Sequence, residues 1–256
     1  INNFELVKLA LTSADVVIHL AANTGVAPSI EDPMMDCLVN VVGTLNVLEA
    51  CRTNLVSKVI LASSGAPLGE QAPPLHEELA PKPMSPYGAS KLAAEAYCSA
   101  YFHSFGIHTV SLRFGNVYGP GSFQKNSVVA KFLRQVMNSE SHEIYGDGLQ
   151  TRDYVYIDDL VEAISLASIT PGIGGNVFQI ATSKETSLIE LVECLSEVLA
   201  DFDLKMGKII HSASRVGDAK RNFSDTSKAL QLLGWSSKTP LEKGLFETVK
   251  YFLNNQ

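Results

Sequence analysis

Two kinds of apolar pattern alternate along the first 116 residues. Nearly continuous apolar runs at 15–20 and 58–62, such as Lys58-Val59-Ile60-Leu61-Ala62, read as strands buried on both faces, and 107–113 reads as the next strand. Between them apolar residues recur at helical spacing, from about Pro33 to Arg52 and from Tyr87 to about Phe105. Phe4 to Leu11 is a shorter amphipathic helix ahead of the first strand. Strands of this kind alternating with helices predict an α/β fold, a doubly wound parallel sheet covered on both faces. Such sheets bind ligands in the crevice outside the carboxyl ends of their strands. Ala21-Ala22-Asn23, Ser63-Ser64 and Phe114-Gly115-Asn116 each follow a strand end, so these three loops are expected to converge.

Beyond residue 116 the pattern becomes mixed. Val117-Tyr118-Gly119-Pro120-Gly121 is a turn-rich loop, 128–137 a helix, and Gly146-Asp147-Gly148 another turn. Strands are expected at 153–157, 176–180 and 208–211, and helices at 158–168, 188–199, from about 225 to Gly234, and after Pro240. This divides the chain into a dinucleotide-binding sheet domain, residues 1–116 plus 150–182, and a small substrate lobe, residues 117–149 plus 183–256. The lobe is expected over the carboxyl edge of the sheet.

With 46% hydrophobic residues, 256 residues can bury a sizeable core. A net charge of −7 argues against nucleic acid or an anionic membrane as the main partner. Apolar runs such as 15–22 are too short to cross a bilayer. Cys37, Cys51, Cys98 and Cys194 are scattered without Cys-x-x-Cys spacing, and the six histidines show no ligand spacing, so no metal is expected. A soluble cytoplasmic protein is the default expectation.

The candidate chemistry lies at Ser64, Tyr87 and Lys91. Tyr87 and Lys91 are four apart in a helix that Pro86 can open, so they share one face. A phenol is a poor base at neutrality, and an ammonium held nearby should lower its pKa. A serine delivered by the end of a neighbouring strand can bond the same substrate oxygen. Together the three can take the proton of an alcohol while hydride leaves its carbon.

A wider set of motifs shares this setting: Val17-Ile18-His19-Leu20-Ala21-Ala22, Asn40 with Gly43-Thr44, Ala62-Ser63-Ser64, Tyr87 to Lys91, 112–121, 145–153, and Arg215-Val216-Gly217-Asp218. In this order they resemble the extended short-chain dehydrogenase/reductases, in particular the nucleotide-sugar epimerase and dehydratase branch. The resemblance covers nearly the whole chain and implies a Rossmann-like sheet and NAD as cofactor. It also implies that the first strand–helix–strand units, with the glycine-rich pyrophosphate turn, are missing. No G-x-x-G-x-x-G segment occurs here, so the choice of NAD over NADP is not read from these residues, and the 256 residues alone are expected to be inactive. By the same resemblance Leu20, Ala21, Ala22, Asn40 and Gly115, with Ser64, Tyr87 and Lys91, would line the cofactor. Asn116, Arg152, Arg215 and Asp218 would hold the phosphates, sugar and ribose of a nucleoside diphosphate-sugar, with the backbone around Glu143 and Tyr145 facing the base.

Dehydratases of this family carry a glutamate just after the loop serine or threonine; here Gly65 and Ala66 stand there and cannot move protons. The expected function is therefore NAD-dependent epimerisation at C4 of a UDP-sugar, glucose/galactose or the N-acetylhexosamine pair, in polysaccharide synthesis. The rival readings are a 4-ketoreductase using NADPH and a noncatalytic nucleotide-binding member of the fold. Pro67 and Leu68 depart from the family's Val-Tyr-Gly turn and bear on substrate identity. Asn222, where a tyrosine would exclude an N-acetyl group, is expected to admit one. Val42, Leu45, Leu48, Leu92, Ala96 and Ala100 suggest a homodimer pairing the two long helices, as the family usually does.

Overall fold

The computed structural model describes residues 1–213 and 220–255. The first half runs α1 (Phe4–Ala10), β1 (Val16–His19), α2 (Val26–Glu31), α3 (Pro33–Cys37), a π turn (Leu38–Val42), α4 (Gly43–Thr53), β2 (Lys58–Ser64), α5 (Pro86–Phe105) and β3 (His108–Phe114). Then follow β4 (Asn116–Tyr118), α6 (Val128–Met137), β5 (His142–Tyr145), β6 (Thr151–Arg152), β7 (Tyr154–Tyr156), α7 (Ile157–Ile169) and β8 (Val177–Ile180). The chain finishes with β9 (Thr186–Ser187), α8 (Leu188–Ala200), β10 (Ile209–Ser212), α9 (Ser227–Leu233) and α10 (Leu241–Asn254).

The main sheet has the order β1-β2-β3-β8, and every pair in it is parallel. The central strands β2 and β3 are buried along most of their length because both faces are covered, while Val16 and Ile18 of the edge strand β1 stay exposed. Val47, Leu48, Leu61 and Cys98 pack between the sheet and helices α4 and α5. Ile60, Leu112, Ala163 and Trp235 pack on the side of α7 and α9. A third cluster, Phe132, Ile144, Tyr154, Leu195 and Phe252 among others, forms the lobe. Residues beyond 183 therefore contribute to both the lobe and the sheet, since Trp235 is fully buried under α7 with its indole N–H on the Asp159 carbonyl at 2.8 Å.

The expectation of an unbroken α-helix over 33–52 needs correction. A π turn at Leu38–Val42 interrupts it. Such turns insert a residue and rotate the following face, often at functional sites. Here it aims the Asn40 side chain at Asn23 and Ser90. The helix expected over 158–168 starts one residue earlier, at Ile157, with Asp158 in its first turn and Tyr156 as the N-cap. The joined segment Pro33–Thr53 is also long and apolar enough to cross a membrane, unlike the short runs read from sequence. It carries buried Asp36, Asn40 and Thr44, and Asn40 and Thr44 bond residues of neighbouring elements, which marks it as a packed helix of the α/β core.

Candidate active site

Helix α5 starts sharply. Ser85 caps it by accepting a hydrogen bond from the Gly88 N–H at 3.1 Å, and Pro86 occupies the first turn. Gly88 then lets the helix touch the loop after β2: a Cβ there would lie 2.6 Å from the Ala66 carbonyl oxygen. This close approach sets Tyr87 beside Ser64, near enough for the serine hydroxyl to act on the phenol's pKa. Ser64 Oγ also accepts from the Ala66 N–H at 3.2 Å. One turn further on, Lys91 is buried, its ammonium donating to the Ala62 carbonyl at 2.9 Å and lying 6.0 Å from the centre of the Tyr87 ring. Ser64, Tyr87 and Lys91 thus meet at the carboxyl end of β2.

The electrostatics correct one expectation. The Tyr87 phenol is not lowered; burial raises its pKa, the neighbouring Ser64 hydroxyl opposes that rise, and the Asp36 carboxylate adds to it. At rest the Lys91 ammonium is bonded to the Ala62 carbonyl. Burial pushes Lys91 down to about 8, against the pull of Asp36 and Glu95. Near neutral pH the site therefore holds a protonated phenol and a charged lysine. His19 on β1 is pushed down to about 4 by burial and then by the Lys91 charge, so it is neutral. Thr44 donates to the Asn40 carbonyl at 2.6 Å, which makes His19 Nε2 the donor in its 3.0 Å bond to Thr44.

The residues expected beside the cofactor lie around the end of β1. Leu20 is 57% exposed, Ala21 is exposed and Ala22 half-buried, giving a small-residue ledge. Asn40 accepts from the Asn23 N–H at 2.8 Å and donates to the Asn23 carbonyl, to Asp36 and to Ser90, which fixes the loop after β1 against α5. Gly115 is packed so tightly that a Cβ would meet the Asp153 carbonyl at 2.9 Å and Ala181 at 3.1 Å. Small residues at the carboxyl ends of neighbouring parallel strands leave room for a flat redox ring.

Asn116, Glu143, Tyr145 and Arg152 converge on one cavity of about 280 Å³, also lined by Asn126, Ser127, Lys131, Gln150 and Tyr154. Glu143 and Tyr145, whose backbone is expected to face the base, both line this space. Glu143 accepts from Tyr145 at 2.6 Å and from Ser212 at 2.6 Å, and the Lys131 ammonium lies 3.9 Å from it. Arg152 donates to the Thr151 carbonyl at 2.7 Å. Asn222 is placed by its N–H on Thr151 at 3.4 Å, and its amide nitrogen lies 3.9 Å from where a Cβ of Gly65 would be. It therefore spans from β6 to the loop after Ser64. Arg215 and Asp218 lie outside the described residues.

Sequence reasoning missed Lys131, Asp36, Glu95 and Arg113. Lys131 follows Ser127 by one helical turn on the amphipathic α6, which was a readable signal. The three buried charges gave none, because a charged residue inside a helix or strand reads as surface until its partner is known.

The profile of the NAD dependent epimerase/dehydratase family matches residues 2–181. A UDP-glucose 4-epimerase of Mycolicibacterium smegmatis is 35% identical over 99% of this chain and 84% of its own length. Among solved structures, UDP-glucuronic acid 4-epimerase from Bacillus cereus, in complex with UDP-glucuronic acid and NAD, superposes with a TM-score of 0.90 at 32% identity, over 98% of this chain and 79% of that one. UDP-N-acetylglucosamine 4-epimerase from Methanobrevibacter ruminantium, in complex with UDP-N-acetylmuramic acid, gives a TM-score of 0.90 at 32% identity, over 98% of this chain and 80% of that one. With its Rossmann-like parallel sheet and its serine, tyrosine and lysine at one strand end, the chain belongs to the NAD-dependent epimerase/dehydratase family of extended short-chain dehydrogenase/reductases, and NAD is its cofactor.

Proposed function

We propose that the protein interconverts C4 epimers of a UDP-sugar. The observation that carries this reading is the close approach of α5 to the loop after β2, which brings Tyr87 and Lys91 to the strand end that carries Ser64, followed by Gly65 and Ala66 where elimination would need a carboxyl group. NAD, when bound, supplies a reversible hydride acceptor. The chain's own part is proton handling at the sugar's C4 oxygen. Ser64 and Tyr87 bond that oxygen. The phenol, protonated at rest, first gives its proton to solvent; the phenolate, with the Lys91 charge 6.0 Å from its ring, then takes the C4 hydroxyl proton as hydride leaves and returns it when hydride comes back. Arg152, beside the cavity with Asn116, suits the diphosphate, because a guanidinium fork matches phosphate oxygens.

Relatives of similar identity act on different sugars, so the sugar is argued from this chain. Asn222 stands beside Gly65, close to the catalytic loop, and a short amide there leaves room for a C2 acetamido group and can bond it. We therefore place the N-acetylhexosamine pair first. Proton NMR of UDP-N-acetylglucosamine and UDP-glucose with the NAD-loaded enzyme should show the C4-inverted partner. Tyr87→Phe should slow this by about 10²–10⁴-fold; a near-normal rate in that variant would sink the mechanism.

The same reading includes a homodimer. Met34 is 77% exposed, and Met35, Leu38, Val42, Tyr97, Ala96 and Ala100 are exposed on the two long helices. Leu48, expected in that interface, is instead fully buried within the subunit. Sedimentation at tens of micromolar should give a dimer, and Leu38→Glu should dissociate it; a monomer before mutation would refute the pairing.

A further inference from the structure

Glu95 follows Lys91 by one turn of α5 and is buried. Both its carboxylate oxygens are engaged. Oε1 accepts from the Ser63 hydroxyl at 2.5 Å and from Arg113 Nε at 2.9 Å, and Oε2 accepts from Arg113 Nη2 at 2.7 Å. Ser63 immediately precedes the candidate serine on β2. Arg113 on β3 is its partner in register and precedes Phe114-Gly115-Asn116. Arg113 is 3% exposed, and among the described residues its side chain bonds Glu95 alone, with Nη1 left without a partner. A guanidinium in that position cannot turn to water, so the geometry of the pair is fixed by Glu95.

We propose that Glu95 is a positioning residue for the reaction: its single carboxylate locks the helix carrying Tyr87 and Lys91 to the two strand ends that deliver Ser64 and Asn116. The long segment 65–85 separates β2 from α5, and the two-residue link from α5 to β3 lies at the far end of the helix from Tyr87 and Lys91; among the described residues no other side chain bonds all three elements. The same carboxylate faces Lys91 along the helix. Asp36 from α3 and His19 from β1 also face that ammonium, with Tyr87 one turn before it. Of these, Asp36 and Glu95 are the two that favour the charged lysine. Removing Glu95 should thus do two things together: loosen the spacing of Ser64 and Tyr87, and make Lys91 lose its proton at lower pH.

The proposal rests on the epimerase reading for its rate assay and is independent of it for the lysine titration. In the NAD-loaded enzyme, Glu95→Gln should lower kcat by about tenfold or more while the KM for the UDP-sugar stays within about twofold, since the cavity residues are untouched. The alkaline limb of kcat should move down by about half a pH unit or more. The pH dependence of Lys91 acetylation, followed by mass spectrometry, should move the same way, and it reports even if the wild type proves inactive on UDP-sugars. A merely structural Glu95 would lower Tm and leave kcat, the limb and the labelling curve in place, which would overturn the proposal. Should Glu95→Gln fail to fold, Ser63→Ala decides, because it keeps the ion pair. That variant should lose kcat several-fold at an unchanged Tm, and an unchanged kcat would equally overturn the proposal.

Discussion

Gly88→Ala is a small change with a large expected effect on this site. In an exposed helix the substitution is favourable by up to about 1 kcal/mol, since alanine loses less backbone freedom on folding. Here the new Cβ would sit 2.6 Å from the Ala66 carbonyl oxygen and 3.2 Å from Pro83 Cβ. Ordinary contact begins at 3.4 Å, so relief needs a shift of about 0.8 Å between α5 and the Gly65–Ala66 loop. The contact is with backbone on both sides, and neither can rotate away. Overpacking of this kind costs roughly 1–3 kcal/mol, which outweighs the propensity gain, so Tm should fall. The same shift acts on the spacing of Ser64 and Tyr87, because Tyr87 and Gly88 move together. Misplacement by about 1 Å costs on the order of 10²-fold in rate, so kcat should drop far more than stability alone explains. The assay is kcat by proton NMR on folded, NAD-loaded variant, with Tm measured in parallel. A kcat within about twofold of wild type would refute the argument that this contact sets the site.

The alternation of buried strands and helices was legible because a parallel sheet needs apolar residues on both faces. It located Ser64, Tyr87, Asn116 and Arg152 at or near strand and helix ends. The π turn was not legible, as Leu38–Val42 has the composition of an ordinary helix and its extra residue is fixed by packing of Asn40 against Asn23 and Ser90. The raised phenol of Tyr87 was also hidden. Spacing puts Lys91 one turn away but does not say that its ammonium will bond Ala62. The buried Glu95–Arg113 pair is the clearest loss, since its members lie 18 residues apart and each alone has the look of a surface charge.

Asn222→Tyr should fill the space beside Gly65 and cut activity on UDP-N-acetylglucosamine by about tenfold or more relative to UDP-glucose; equal effects on both would remove Asn222 from the pocket wall. His19 supplies an acid-sensitive element. Its pKa is about 4 in the folded protein against 6.5 ordinarily, so its contribution is full above 6.5 and is lost as pH falls toward 4. That amounts to at most about 3 kcal/mol, and denaturant unfolding of His19→Asn should show a smaller loss between about pH 7 and pH 4 than wild type. Equal losses would place the acid sensitivity elsewhere.

The central claim is that hydride leaves C4 and returns to the same carbon. UDP-N-acetylglucosamine carrying deuterium at C4, incubated with the NAD-loaded enzyme in ordinary water, tests it directly by NMR and mass spectrometry. The account predicts a C4-inverted product that keeps its deuterium, with no net NADH formed. Loss of the label to solvent, or NADH accumulating in step with substrate consumed, would contradict it.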